Sequence, residues 1–322
     1  MLYLNEKNLH EVGIDWGKMV DVIEGAVRCL GKDDFAQPVK PYLRYRDLKN
    51  RIIAMPAFIG GDFNIAGIKW IASFPDNIHQ GIPRAHSVVI LNKAETGQPE
   101  AVINTALLSI LRTASVTGLM IRYFDIVRPL KDVKLAVIGW GPIGQYHLKM
   151  ALDLLGDRIS KIFLFDLRPI DPASLSFAPK DKIVIAESWE QAYVDTDVFI
   201  TATVSNAPYI DKAPKKGSLQ LNISLRDYKT DIFPYVKDSI IVDNWEEICR
   251  EKTDIEMLNI DKGLQKEQTK SIVDMVMDNC MKDYPSDAPI MFNPMGMAVF
   301  DMALGSYFLH YARQKGIGTE LE

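Results

Sequence analysis

The stretch VIGWGPIGQ (137–145) constrains the fold more than any other part of the chain. It places three glycines between the apolar, β-branched run KLAVIG and the helix-forming run PIGQYHLKMALDLLG. In a strand–turn–helix unit, one glycine permits the tight turn, the second lets the backbone approach a pyrophosphate, and the third packs helix against strand. We therefore expect Gly139, Gly141 and Gly144 to form a dinucleotide-binding turn. An ordinary structural turn without a ligand is the alternative.

The next β-rich run, KIFLFD, ends at Asp166. An acid at this strand end can accept both ribose hydroxyls of NAD and would repel the 2′-phosphate of NADP. Arg168 follows two residues later, and an arginine there can serve such a phosphate. We expect NAD as the cofactor, with NADP as the alternative.

Short β-rich and helical runs alternate from residue 134 onward, which is typical of a parallel sheet covered by helices. We therefore expect an α/β fold with a doubly wound Rossmann domain over residues 118–296. Residues 1–117 and 297–322 are expected to form a second, α+β domain.

Three local patterns support this second domain. An amphipathic helix is predicted over residues 15–31, from its apolar spacing. Two β-rich runs over residues 87–103 flank the turn-prone ETGQP and indicate a hairpin. A last helix is predicted to end at Lys315 and Gly316, both favourable at a helix C-terminus.

Composition argues against several classes of function. The formal charge of −5 argues against a nucleic-acid partner held by a basic surface. The five histidines show no HxH or HExxH spacing, so we expect no protein-bound catalytic metal. The three cysteines lie far apart, as a reducing cytosol permits, and the N-terminus has no secretory pattern. A cytoplasmic protein acting on small molecules fits best.

The stretch AVINTALLSILRTASVTGLMI (101–121) approaches the length of a membrane span. It carries Arg112, and a charge near the middle of a lone span is costly. We therefore expect a buried helix here and no membrane partner.

Two cations lie in apolar surroundings. Lys69 belongs to the strand-like run NIAGIKWIAS, in which both faces of the strand are apolar. A buried ammonium needs an anionic partner, either a structural carboxylate or a substrate carboxylate. Arg112 is the only charge in residues 101–121, and a guanidinium suits a carboxylate or a phosphate. Arg44 and Arg84 are further candidates for binding an anion.

Asp227 follows the predicted strand SLQLNIS. Ligands of open α/β sheets bind beyond the carboxyl ends of the strands, so this carboxylate is our candidate base. The alternative is a helix N-cap, because aspartate is a preferred capping residue. Asp243 also follows a strand, but we expect it further from the site.

The motifs GIKW, RTASVTG, VIGWGPIGQ, TATVSNAPYI and MGMAVFDM span essentially the whole chain. Together with the aspartate after the fifth strand, they resemble the ornithine cyclodeaminase and μ-crystallin family. The resemblance implies a homodimer, with the first domain supplying the substrate pocket and the dimer sheet.

Carried over position by position, the resemblance also implies roles for individual residues. Asp227 would be the catalytic acid or base, with Lys69 as the other candidate proton acceptor. Lys69 and Arg112 would hold the substrate carboxylate, and Arg44 would join them. The cofactor would be contacted by the glycine turn and by Arg112, Thr113, Pro142, Ile143, Asp166, Thr203, Asn222, Ser224 and Lys229.

One position departs from the cyclodeaminase pattern. In cyclodeaminases the residue two before the MP dipeptide is a glutamate that receives the side-chain ammonium of ornithine, whereas this chain has Ile53. Isoleucine cannot pair with an amine. Ornithine is therefore disfavoured, and the surplus of cations favours a substrate rich in carboxylates.

The segments QPVKPYLR, GIKWIAS and FNPMGMA resemble the branch of the family that forms 2,3-diaminopropionate for siderophores. This implies oxidative hydrolysis of N-(2-amino-2-carboxyethyl)-L-glutamate to L-2,3-diaminopropionate, 2-oxoglutarate and NADH. An ornithine cyclodeaminase, an alanine dehydrogenase or a ketimine reductase are the alternatives within the family. A non-catalytic NAD(P)-dependent binding protein of the μ-crystallin type is the alternative from another class.

Overall fold

The structure is a computed structural model that describes residues 1–322. The chain forms two compact units. The first unit comprises Met1–Ser115 and Gly296–Glu322, and the second comprises Val116–Met295. No helix is both long and apolar enough to cross a membrane.

Strands and helices alternate along most of the chain. The strands are β1 (Leu2–Asn5), β2 (Phe35–Ala36), β3 (Tyr42–Leu43), β4 (Arg51–Ile59), β5 (Ile65–Ser73), β6 (Ala85–Lys93), β7 (Pro99–Asn104), β8 (Val133–Ile138), β9 (Ile159–Phe165), β10 (Ile183–Ile185), β11 (Val198–Thr201), β12 (Leu219–Asn222), β13 (Ile240–Val242), β14 (Lys270–Ser271), β15 (Ile290–Asn293) and β16 (Thr319–Glu320). The α-helices are α1 (Glu6–Val12), α2 (Trp16–Gly31), α3 (Leu107–Val127), α4 (Pro142–Leu155), α5 (Trp189–Tyr193), α6 (Phe233–Val236), α7 (Trp245–Ile248), α8 (Asp254–Lys262), α9 (Ile272–Asp278) and α10 (Ala298–Lys315).

The first unit is built on one sheet with the strand order β16-β1-β7-β6-β5-β4-β2, and β3 also pairs with β4. Only β1 and β7 pair in parallel. Helix α10 packs on β4, β5 and β6 and against α2. Alternation along the strands turns Met55, Lys69 and Val89 toward the buried face.

The local patterns that predicted the second domain are confirmed in this unit. Helix α2 is capped by Asp15, whose side chain accepts the N–H of Lys18 at 3.0 Å. The expected hairpin is formed by β6 and β7. Helix α10 ends with Gly316 in the left-handed conformation, as its glycine predicts.

The opposite face of the same sheet is apolar but only half-buried. Trp70, in the middle of β5, is 43% exposed. Apolar side chains form two adjacent rows across the strands: Pro56, Ile68, Ile90 and Val102 in one, and Ala54, Trp70 and Val88 in the next. A contiguous exposed apolar surface of this kind is typical of an interface.

The second unit contains a fully parallel sheet with the order β10-β9-β8-β11-β12-β15-β13-β14. The strand order reverses between β8 and β11, which is the switch point where open α/β sheets bind ligands. The residues of β11, β12 and β15 are all buried, as expected for strands covered on both faces. The expected α/β fold with a doubly wound sheet is confirmed.

The expectation of one helix over residues 101–121 is wrong at its start. Residues 101–104 belong to β7, which pairs with both β1 and β6, and α3 begins only at Leu107. The β-branched run AVIN satisfies its backbone hydrogen bonds between two strands, so tertiary pairing overrides the apparent continuity with the helix.

Candidate active site

The glycine-rich turn lies between β8 and α4, at the switch point of the parallel sheet. Gly139 donates its N–H to the carbonyl oxygen of Phe165 at 2.8 Å. Trp140 donates its N–H to Asp166 Oδ2 at 2.7 Å. The turn is therefore tied to the end of β9, where Asp166 also accepts the backbone N–H of Arg168 at 2.9 Å.

Helix α4 starts without a capping side chain. Gly141 is its N-cap residue, and Pro142 occupies the first helical position. Proline has no N–H, so the first open donors of the helix are the N–H groups of Ile143 and Gly144. Open N–H groups and the helix dipole give such a start a partial positive charge that favours an anion.

The three glycines of the turn are required for different reasons. A β-carbon on Gly139 would lie 2.5 Å from the Ala202 carbonyl oxygen, and one on Gly144 would lie 2.0 Å from the Gly139 carbonyl oxygen. Gly141 has an ordinary φ of −77°, and a β-carbon there would meet nothing within 4 Å. The protein's own packing does not require a glycine at 141, and the open space beside it fits a ligand such as a pyrophosphate.

Asp227 is fully buried and is held by two hydroxyl groups. Thr203 Oγ1 donates to Asp227 Oδ1 at 2.5 Å, and the Ser224 hydroxyl donates to Oδ2. Thr203 directly follows Ala202, which lies against Gly139, so one side chain separates the carboxylate from the glycine turn. Burial raises the pKa of Asp227, and the hydrogen bonds from Ser224 and Thr203 offset only part of that rise.

The N-cap alternative for Asp227 is wrong. The next helical turn spans Thr230–Ile232, and the residue before it is Lys229. The Asp227 carbonyl oxygen instead accepts the N–H groups of Tyr209 and Ile210, at 2.9 and 2.8 Å. The Asp227 carboxylate is therefore not a helix cap and is bound by the hydroxyls of Thr203 and Ser224, an arrangement suited to proton transfer.

Asn222 lies at the end of β12 and is fully buried. Its Nδ2 donates to Asp254 Oδ2 at 2.9 Å and to Asn293 Oδ1 at 2.7 Å. Its Oδ1 accepts the N–H of Leu225 at 3.0 Å. Asn222 therefore joins the ends of β12 and β15 and supports the turn that carries Asp227.

In the first unit, Lys69 and Arg112 share one buried carboxylate, that of Asp301. Lys69 Nζ lies 2.7 Å from Asp301 Oδ2, and Arg112 Nε lies 3.3 Å from Oδ1. Asp301 belongs to the first turn of α10. Of the two partners expected for Lys69, the structure shows the structural carboxylate.

Lys40, Lys69, Arg112 and Asp301 form a buried cation cluster. Lys40 is also buried, and its Nζ donates to the carbonyl oxygen of Gly296 at 2.6 Å. The pKa of Lys69 is lowered to about 7; burial is the main cause, Arg112 and Lys40 act in the same direction, and the nearby Asp301 raises it. Lys69 and Arg112 are cations of the kind that bind a carboxylate through charge-assisted hydrogen bonds.

A second group of cations surrounds Tyr42. The guanidinium carbons of Arg44 and Arg51 lie 5.0 and 5.7 Å from the centroid of the Tyr42 ring. Tyr42 pairs with Ile53 across β3 and β4. Strand alternation puts Arg51 and Ile53 on the same sheet face as Lys69, so each group of cations has one member on this face.

The remaining expected site residues are Thr113, Arg84 and Lys229. Thr113 donates its hydroxyl to the Ser109 carbonyl oxygen at 2.7 Å within α3. Arg84 is half-buried just before β6. Lys229 Nζ lies 2.6 Å from Asp211 Oδ2 in a half-exposed ion pair.

Comparison with known proteins decides the family. Residues 9–315 match the model of the ornithine cyclodeaminase/μ-crystallin family. The chain belongs to this family. The N-((2S)-2-amino-2-carboxyethyl)-L-glutamate dehydrogenase of Staphylococcus aureus is 34% identical, over 100% of this chain and 98% of the relative.

Solved structures of the family share the fold along the full chain. The Δ1-pyrroline-2-carboxylate reductase of Thermococcus litoralis, solved with NADH and L-proline, has a TM-score of 0.85 at 20% identity and is covered over 100% of both chains. An archaeal alanine dehydrogenase dimer with bound NAD has a TM-score of 0.82 at 22% identity, over 100% of this chain and 99% of that one.

Sequence reasoning missed four residues of these two sites. Lys40, Arg51, Asp254 and Asp301 all take part in the contacts described above. Asp301 lies inside the motif MGMAVFDM, and a charged residue in an otherwise apolar helix was a usable signal. Lys40 lies in an irregular segment where no periodicity marks a buried face, and Arg51 is the first residue of β4, where an arginine is ordinarily exposed.

Replacing Asp301 by asparagine is expected to lower the free energy of unfolding by about 3–5 kcal/mol, because it leaves Lys69 and Arg112 buried without a carboxylate. Urea unfolding at neutral pH measures the change. The exposed Asp62→Asn variant is the control and should stay within about 0.5 kcal/mol of the parent. Equal free energies of unfolding of the two variants would contradict the ion pairs of Asp301 with Lys69 and Arg112.

Proposed function

We propose that this protein is an NAD-dependent enzyme that oxidises and hydrolyses N-(2-amino-2-carboxyethyl)-L-glutamate to L-2,3-diaminopropionate, 2-oxoglutarate and NADH. The observation that carries the proposal is the buried carboxylate of Asp227, one side chain away from the glycine turn. The name of the Staphylococcus aureus relative supports this substrate. Supply of 2,3-diaminopropionate to a siderophore is part of the same proposal.

NAD fits the residues of the second unit. The open space at Gly141 and the uncapped N–H groups of Ile143 and Gly144 suit a pyrophosphate. Asp166 directly follows β9, and an acid at this position suits an unphosphorylated ribose. Thr203 and the other residues named from the family pattern complete the proposed cofactor contacts.

The number of carboxylates in the conjugate supports it as the substrate. The conjugate carries three of them, and the first unit holds two groups of cations, of which Lys69 and Arg51 lie on the same sheet face. We assign one carboxylate to Lys69 and Arg112, and the others to the group around Arg44 and to Arg84. Charge-assisted hydrogen bonds of this type also fix the orientation of a substrate.

Ornithine fits the site poorly. Ile53 is apolar, lies opposite Tyr42 and follows Arg51 by two residues on the same strand face. An ammonium placed there would meet a hydrocarbon side chain and a guanidinium of like charge. Among the alternatives, the substrate of an alanine dehydrogenase carries a single carboxylate and would engage only one of the proposed cation contacts.

The proposed mechanism uses Asp227 twice. The chemistry that NAD supplies when bound is acceptance of hydride, with its electron pair, from the glutamyl Cα. Hydride can leave only from a neutral amine, so Asp227 first takes the proton of the secondary ammonium. After passing that proton to solvent, the same carboxylate takes one from the water that attacks the C=N carbon and so gives a carbinolamine. Asp227 returns this proton to nitrogen, and the hydroxyl loses its proton as the C=O bond forms and the C–N bond breaks, which releases the two products.

The Asp227→Asn variant is expected to lower kcat by about 10²–10⁴-fold, because the asparagine amide cannot accept the amine proton. NADH absorbance with the conjugate as substrate measures kcat, and calorimetry measures NAD affinity, which should persist. The exposed Asp231→Asn variant, from the same loop, is the control. Unchanged turnover in Asp227→Asn would remove Asp227 from the mechanism.

Gly141→Ala is expected to lower NAD affinity by about tenfold or more while changing the free energy of unfolding by less than about 0.5 kcal/mol. The added methyl group would occupy the ligand's space and touch no protein atom. Gly144→Ala is the matched comparison and should lower stability by about 1–3 kcal/mol, because its methyl group would meet the Gly139 carbonyl oxygen. Calorimetric NAD titration and urea unfolding measure the two effects. Full NAD affinity in Gly141→Ala would contradict the proposed pyrophosphate position.

We also propose a homodimer formed through the half-buried face of the first unit's sheet. Its apolar rows cross four strands and include Trp70, which is 43% exposed. Burial of such a surface by a second copy is favourable at roughly 25 cal/mol per Å². The alanine dehydrogenase of the same fold, described as a dimer, supports this occupant.

Ile68→Glu is expected to convert the dimer into a monomer, because it buries a charge at the centre of the proposed interface. Ile126→Glu is the matched control, since Ile126 is 62% exposed on α3 and lies outside the sheet. Light scattering after size-exclusion chromatography gives the mass. A monomeric parent protein, or an Ile68→Glu variant of unchanged mass, would refute this interface.

A further inference from the structure

Asp254 is the first residue of α8 and is 4% exposed. Its Oδ2 accepts the backbone N–H groups of Asp227 and Tyr228, at 3.1 and 3.2 Å, and Asn222 Nδ2 at 2.9 Å. Its own backbone N–H donates to the Leu225 carbonyl oxygen at 2.7 Å. One residue therefore holds the turn from 222 to 228 at four points, and Asp227 is on that turn.

The backbone around this contact is strained. Leu225 has φ of +66°, and Glu251 and Lys252 have φ of +63° and +57°. Residues with bulky side chains rarely adopt this left-handed conformation, which persists only where surrounding contacts impose it. The Arg226 guanidinium supplies one such contact by donating to the Glu251 carbonyl oxygen at 2.8 and 3.2 Å. Both strained segments flank the bond between Asp254 and Asp227.

We propose that Asp254 is a positioning residue, which fixes the Asp227 carboxylate through the backbone of the turn that carries it. This rests on the proposed role of Asp227 as the base. The donors to the Asp227 carboxylate are Thr203 and Ser224. The influence of Asp254 on the reaction is therefore exerted through the backbone.

The charges of the two carboxyls act in one direction. The pKa of Asp254 is raised to about 7, mainly by burial, and the charge of Asp227 contributes to that rise. The pKa of Asp227 is raised by its own burial, and the hydrogen bonds from Ser224 and Thr203 and the Arg226 cation lower it. Of two like-charged carboxyls in one site, one takes the raised pKa, and here that one is Asp254. Asp254 therefore acts on Asp227 through the backbone contacts.

The test compares Asp254→Asn and Asp254→Glu with the parent. Asn removes the charge and presents an amide where the backbone donors need an acceptor, whereas Glu keeps the charge. The matched control is Asp243→Asn, since Asp243 is another buried strand-end acid that accepts two backbone N–H groups, those of Asn244 and Met295. Circular dichroism and melting temperature confirm that each variant is folded.

The first readout is the division of the effect between kcat and KM with the conjugate. Asp254→Asn should lower kcat by about 10²-fold, as expected for a misplaced catalytic group, with KM and NAD affinity unchanged. Asp254→Glu, which keeps the carboxylate, should recover part of the lost kcat, and Asp243→Asn should keep the parent's kcat. A joint loss of kcat, substrate affinity and melting temperature in Asp254→Asn would indicate a purely structural role and would overturn the proposal.

The second readout does not depend on turnover. The carboxyl ¹³C signal of Asp227, assigned by its loss in Asp227→Asn, is compared in the parent, in Asp254→Asn and in Asp243→Asn. A changed chemical shift in Asp254→Asn alone supports the proposal even if the conjugate proves not to be the substrate. An unchanged shift overturns it, whatever the substrate is.

Discussion

The buried carboxylate of Asp301 is the constraint on which the proposed substrate site depends. It lies in the first turn of α10 and pairs with both Lys69 and Arg112. Without it, two cations would be buried with no partner, at a cost of several kcal/mol. The nearby Lys40 adds to the fall in the pKa of Lys69. The interaction that allows the two cations into the fold thus also holds them where the proposed substrate carboxylate would bind.

The second unit buries a charge of the opposite sign in a different way. Asp227 receives hydrogen bonds from two neutral hydroxyls, those of Thr203 and Ser224, and not from a cation in direct contact. A carboxylate held by neutral donors in a buried site keeps its affinity for a proton, whereas a cation would reduce it. Asp301 is therefore suited to charge pairing, and Asp227 is suited to proton transfer.

Local signals in the sequence predicted much of this arrangement. The glycine turn, α2, the β6–β7 hairpin and the carboxylate after β12 each follow from patterns a few residues long. The partner of Lys69 is 232 residues away in the chain, and β15 inserts between β12 and β13 from a later segment. Such pairings are set by tertiary packing, which periodicity and spacing do not encode. The same holds for Asp254, whose contacts depend on a strained loop.

The central claim is that the carboxylate-rich conjugate is oxidised at its glutamyl Cα. The most direct test uses the conjugate deuterated at that carbon, with mass spectrometry of the nucleotide and of the products. The account predicts one deuterated NADH for each 2-oxoglutarate and each 2,3-diaminopropionate formed. Unlabelled NADH, or conversion of ornithine to proline without net NADH in place of conjugate oxidation, would contradict it.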